Sequence, residues 1–99
     1  MMTVEIVLFR LNADAAESDF LGAVAAMTPD LRTAPGYLSR ELLRGDDGLW
    51  VDVVHWRSLA EAQQAMAHFP NLPSAQAFGA LMDGETLRML HLERVWVES

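Results

Sequence analysis

Pro35-Gly36-Tyr37-Leu38-Ser39-Arg40-Glu41-Leu42-Leu43-Arg44-Gly45-Asp46-Asp47-Gly48-Leu49-Trp50-Val51-Asp52-Val53-Val54-His55-Trp56-Arg57-Ser58 is the stretch that decides the fold. Two runs of large apolar and β-branched residues, Tyr37 to Arg44 and Leu49 to Arg57, flank Gly45-Asp46-Asp47-Gly48, whose residue types tolerate positive φ. This is a β-hairpin. With Asp46-Asp47 as a two-residue loop, Arg44 pairs with Leu49 and Glu41 with Asp52. One face then carries Tyr37, Ser39, Glu41, Leu43, Trp50, Asp52, Val54 and Trp56. The other carries Leu38, Arg40, Leu42, Leu49, Val51, Val53 and His55. A sheet with one face in water alternates apolar and polar residues. Here both faces hold large apolar groups, so both are expected to be covered.

Outward from the hairpin, the rest of the chain supplies the cover. Val4 to Leu11 is a strand-like run. Asp14 and Glu17 have the spacing of a capping box, and Phe20, Leu21, Val24, Met27 and Leu31 fall on one helical face. Pro29 removes a helical hydrogen bond, so the helix is expected to kink or break there, or to give way to a short second helix capped by Thr28. Ser58 and Glu61 form a second capping box, and the helix they start ends near His68 at Pro70-Asn71-Leu72-Pro73. Ser74 is placed as the cap of a short helix through Phe78 to Met82. Asp83-Gly84 turns, and Thr86 to Val97 is the last strand. The order is βαββαβ, the plan of an α+β, ferredoxin-like domain with a four-stranded antiparallel sheet, read as one domain over 1–99. Helices cover one face. A second copy's sheet would cover the other, so a homodimer packed sheet to sheet is expected.

Composition narrows the function. Seven basic against 14 acidic residues give a formal charge of −7, with no basic patch for a phosphate backbone or an anionic membrane. The absence of cysteine removes disulfides, thiol nucleophiles and Cys-ligated zinc. No apolar run approaches the roughly 18 residues of a membrane span. No basic region precedes an apolar stretch at Met1-Met2-Thr3-Val4-Glu5, so a cytoplasmic location is expected. His55, His68 and His91 show no metal-binding spacing, and no metal is expected. His68 ends a helix, where a cation suits the carbonyl terminus.

Pro35 to Leu42, Gly48 to Ser58 and the alanine-rich Ala62 to Ala67 together resemble the dimeric α+β barrel superfamily. Within it they are most similar to antibiotic biosynthesis monooxygenase-like domains. The shared features are a "PGF" turn, a strand ending in Trp-x-Ser and an alanine-rich helix. The resemblance implies a dimeric α+β barrel and, in the branch of polyketide oxygenases, oxygen chemistry that needs no flavin or metal. Those enzymes place an Asn four residues before the strand-ending Trp. Here Asp52 and Trp56 hold these positions and share one strand face. Their Tyr near the start of the second helix and their later Arg find only Ala62 and Gln76. The haem-degrading branch could match its Asn at Asn12, but its helix Trp and ligating His fall on Ala65 or Met66 and near Ala75.

From this the candidate site follows. Asp52, flanked by Trp50, Val51, Val53 and Val54, is read as a desolvated general base that removes a phenolic proton, helped by His91. Trp56, Tyr37, Trp50, Met66 and Phe78 are read as the wall of a pocket for a small flat hydrophobic phenol or quinone, with no cofactor. Each has a structural counterpart: Tyr37 and Trp56 as a cross-strand aromatic pair, the methionines as core, the histidines as hydrogen-bonded structural residues. Arg40 is read as pairing with Glu5 or Glu41 across the sheet or a dimer seam. The alternative function is a non-catalytic dimeric domain that binds a small ligand or serves in stress. An open cavity beside Trp56 with Asp52 in its wall favours the enzyme.

Overall fold

The computed structural model describes residues 1–99. The elements are β1 (Thr3–Leu11), α1 (Glu17–Ala26), α2 (Thr28–Thr33), β2 (Tyr37–Arg44), β3 (Trp50–Trp56), α3 (Leu59–His68), a 3-10 turn at Phe69–Asn71, α4 (Pro73–Ala80) and β4 (Met82–Glu93). The four strands form one antiparallel sheet in the order β2-β3-β1-β4. This is the expected ferredoxin-like α+β fold, with the two crossovers placing the helices on one face.

β1 alternates strictly along its first seven residues: Thr3, Glu5, Val7 and Phe9 are buried under the helices, while Val4, Ile6 and Leu8 turn to the other face. The core is aromatic where α1 and α4 cross the sheet. Phe20 lies 5.6 Å from Phe9, 5.6 Å from Phe78 and 5.0 Å from Trp50, centroid to centroid. Trp56, Phe9 and Phe20 are the largest fully buried side chains. Ser58 caps α3 as expected: its hydroxyl accepts from the Glu61 amide at 3.2 Å and donates to the Glu61 carboxylate at 3.0 Å.

Other boundaries differ from the sequence reading. α1 begins after Ala16 with no side-chain cap, so Asp14 and Glu17 form no capping box. The helix does break before Pro29, but Thr28 is the first residue of α2 rather than its cap. α4 begins at Pro73, ends at Ala80 and leaves Ser74 inside it, where the hydroxyl donates to the Asp30 carboxylate across to α2. β4 starts at Met82 and stops at Glu93, because Met82 and Asp83 already pair with Leu11 and Arg10. The Arg10 amide donates to the Thr86 hydroxyl at 2.9 Å, bridging the bulge between the two halves of this ladder.

The hairpin register carries the main correction. The loop has three residues, Asp46-Asp47-Gly48, with Gly48 at φ 87° and the Gly45 amide bonded to the Leu49 carbonyl at 2.7 Å. Arg44 therefore pairs with Trp50 and Leu42 with Asp52. A bulge at Leu38 then takes up the extra residue, so Tyr37 pairs with Trp56 as predicted. Between these two irregularities β2 is turned over. Arg40, Leu42 and Arg44 face the helices, while Ser39, Glu41 and Leu43 face away.

Candidate active site

A cavity of about 380 Å³ opens between the sheet and the helices. Its floor comes from β1, β2, β3 and β4 through Glu5, Val7, Arg40, Asp52, Trp56 and Met89. Its roof comes from Met27, Leu31, Ala65, Met66, Phe69 and Phe78. Apart from Gln76, every polar side chain in the wall is charged and stands on the sheet: Glu5, Arg40 and Asp52.

Asp52 is buried in the cavity wall, as its apolar neighbours predicted. It is not alone. The Arg40 Nε donates to Oδ1 at 3.0 Å and Nη2 donates to Oδ2 at 2.8 Å, with the two side chains 8% and 6% exposed. Arg40 Nη1 also donates to the Val24 carbonyl at 2.9 Å, and the guanidinium lies 5.4 Å from the centre of the Phe78 ring. Arg40 thus pairs with neither Glu5 nor Glu41. A bidentate pair engages both carboxylate oxygens of Asp52 and is strong and directional. It fills the positions from which a free base would act. The hairpin loop length and the Leu38 bulge were the features that hid Arg40, because the two-residue loop places it on the opposite face.

The remaining sequence candidates separate. Trp56, Met66 and Phe78 line the cavity. The indole Nε1 of Trp56 is buried with no hydrogen-bond partner. Trp50 lies outside the cavity, packed in the aromatic core with the Arg44 guanidinium 5.7 Å above it. Tyr37 also lies outside, edge-on to Trp56 at 5.9 Å, so the two rings do not form parallel walls of a slot. His91 lies beside Glu5 on the same face of the sheet, outside the cavity lining, its Nε2 2.9 Å from Glu5 Oε1. His55 lies on the other face of the sheet, 3.4 Å from the Ser39 hydroxyl, and His68 closes α3.

Glu5 is the residue that sequence reading left out of the site. It lines the cavity, and burial pushes its carboxyl above the ordinary glutamate range; the hydrogen bond and charge of His91 oppose that rise. The signal available was a single charge at a core-facing position of a mostly apolar strand.

Residues 2–81 match the antibiotic biosynthesis monooxygenase family. The chain belongs to that family. Among solved structures of similar fold, SnoaB from Streptomyces nogalater, a cofactor-independent oxygenase, superposes with a TM-score of 0.80 at 21% identity, covering 97% of this chain and 95% of that one. Rv0793 from Mycobacterium tuberculosis gives 0.70 at 21% identity, with all of both chains covered. A dimeric ferredoxin-like protein of unknown function from Jannaschia sp. CCS1 gives 0.72 at 14% identity, covering 95% of this chain and 100% of that one. At these identities the likeness is one of fold. No curated protein matches. Within the family fold, the cavity lies between the sheet and the helices that cross it, and no helix is long and apolar enough to cross a membrane.

Proposed function

We propose that this member of the family is a monooxygenase that needs no cofactor and acts on a small, flat, hydrophobic phenol or quinone-like compound held in the cavity. The observation that carries the reading is the cavity itself. It has room for a two- to three-ring ligand, a largely apolar wall, and a few charged groups confined to one side. Membership of the family and a fold shared with the oxygenase SnoaB support the same chemistry. In this reading Trp56 and Phe78 bound the ring system and Met66 adapts to its edge. Loss of the phenolic proton leaves an electron-rich anion, which reduces molecular oxygen directly. Asp52 serves by holding Arg40, whose positive charge faces the developing anion.

A homodimer belongs to the same proposal. On the face without helices, Leu43, Leu90 and Leu92 are exposed and Val4, Ile6, Leu8 and Val51 are half-buried. A stripe of this kind is suited to pack against its own copy about a twofold axis.

The test is a thermal-shift panel of polycyclic phenols, quinones, haem and flavin, followed by oxygen uptake with whatever binds. A native-state ligand at a hundred times its Kd adds about 2.7 kcal/mol of stability. A shift with a phenol or quinone that is lost in Trp56→Ala, with oxygen uptake in the absence of added cofactor, is the expected result. Binding without uptake would leave a ligand-binding domain. No shift with any phenol or quinone would overturn the proposal.

A further inference from the structure

Two spaces meet at the edge of the sheet. The inner cavity is lined by Glu5 and not by His91. An open groove on the outer surface is lined by Gln63, Met66, Met89 and His91, and not by Glu5. Met66 and Met89 line both, so they form the wall between them. One polar contact crosses that wall, the hydrogen bond between Glu5 Oε1 and His91 Nε2 at 2.9 Å. The side chains are 11% and 18% exposed, in keeping with a carboxylate on the inside and an imidazole that reaches out.

We propose that Glu5 is the catalytic residue that takes the substrate proton, and that His91 is the positioning residue that passes the charge to the outer groove. The inference rests on the phenol reading of the cavity and adds the group that starts the reaction. Asp52 is unsuited to that task, because Arg40 engages both of its oxygens. Glu5 has one oxygen on His91 and no hydrogen-bond partner on the other. In the step, the substrate O–H bond breaks, its electron pair stays on the substrate oxygen, and the proton goes to the free oxygen of Glu5. Where both ring nitrogens of His91 carry a proton, Nδ1 releases one to water in the groove. One proton enters the pair and one leaves it, and the ion pair becomes a neutral carboxyl accepting from a neutral imidazole. No oxidant takes part in this step. The oxygen that the anion later reduces is that of the reaction proposed above.

The charged groups around Glu5 agree with the role. His91 faces it from β4, Asp52 from β3 and Arg40 from β2, and the helices bring no ionisable side chain to the cavity wall. Burial holds the carboxyl above its ordinary range, which moves it towards the working pH of a general base.

Two measurements test the relay. Carboxyl carbon NMR on the free protein is expected to show Glu5 titrating above ordinary glutamates, and higher still in His91→Gln. An unmoved Glu5 in that variant overturns the relay, and this readout needs no turnover. Oxygen uptake with 1,5-dihydroxynaphthalene is expected to fall about a hundredfold in Glu5→Gln, within the usual range for removing a general base. The acid limb of its pH profile should disappear at the same time. In His91→Gln the acid limb should move to higher pH, and imidazole buffer should restore part of the rate. Wild-type uptake with undiminished uptake in Glu5→Gln overturns the relay and leaves the oxygenase reading standing. A wild type that binds the phenol but takes up no oxygen overturns the oxygenase reading, and the NMR titration then decides the pair by itself.

Discussion

Arg40 and Asp52 meet diagonally across the β2–β3 ladder, the guanidinium donating to both carboxylate oxygens at 3.0 and 2.8 Å inside the cavity wall. Removing one partner of a buried pair strands the other charge and costs about 3–5 kcal/mol. Asp52→Ala is therefore expected to destabilise the fold by that amount, measured by urea unfolding. The paired replacement Arg40→Met with Asp52→Leu should recover most of the loss. A single Asp52→Ala as stable as the wild type would show that the pair does not hold the floor.

Glu5 gives a pH dependence of defined sign. Its folded-state carboxyl titrates above its unfolded value, chiefly because burial disfavours the charged form. The native state thus binds more protons than the unfolded state between the two values, and stability contributed by this group falls as pH rises through that window. The contribution is fully present below the unfolded value near 4.5 and is gone above the folded one. Unfolding free energies of the wild type minus those of Glu5→Gln should decline as pH rises through the window. A difference that stays flat or climbs would mean the carboxyl is not held high.

Gly36 tests the turn that enters β2. It has φ 82°, and a Cβ built there would lie 2.5–2.7 Å from side-chain atoms of Glu61. Glu61 is itself engaged by Arg57 and, more weakly, by Ser58, which keeps its carboxyl below the usual range. Gly36→Ala must pay about 1–2 kcal/mol for a left-handed backbone and also displace that carboxylate. A loss of at least that size by thermal or urea unfolding is expected, larger than for Gly22→Ala, where a Cβ meets nothing within 4 Å.

The helix-free sheet face tests the assembly. Leu90→Lys, an exposed position on that face, should leave the monomer's fold intact and split the dimer, read as a halved mass by light scattering at micromolar concentration. A wild type that is already monomeric there would end the dimer proposal.

How much of this was legible in the sequence can be traced to the hairpin. The strand pattern of Val4–Leu11 and Trp50–Trp56 was readable, because side chains alternate with a period of two whatever the partner does. So Asp52, Val54 and Trp56 fall on the covered face as expected, and Met66 and Phe78 complete the wall above them. Ser58 was also readable as a cap, since a serine hydroxyl three residues before Glu61 needs only local geometry.

The face of β2 was a tertiary decision. A third loop residue, Gly48, shifts the register by one, and the Leu38 bulge shifts it back before Tyr37. Arg10 on β1 donates to the Asp47 carbonyl and carboxylate, a contact that ties the loop to the strand next to the hairpin. Two compensating irregularities leave Tyr37 opposite Trp56, where the sequence pattern puts it, and turn over β2 from Ser39 to Arg44. Side-chain period cannot reveal that, because a one-residue slip exchanges the faces of a strand without changing its pattern. The order of elements and the apolar sheet followed from the sequence alone. The pairing of Arg40 with Asp52, and of Glu5 with His91, depended on which strands became neighbours and in what register.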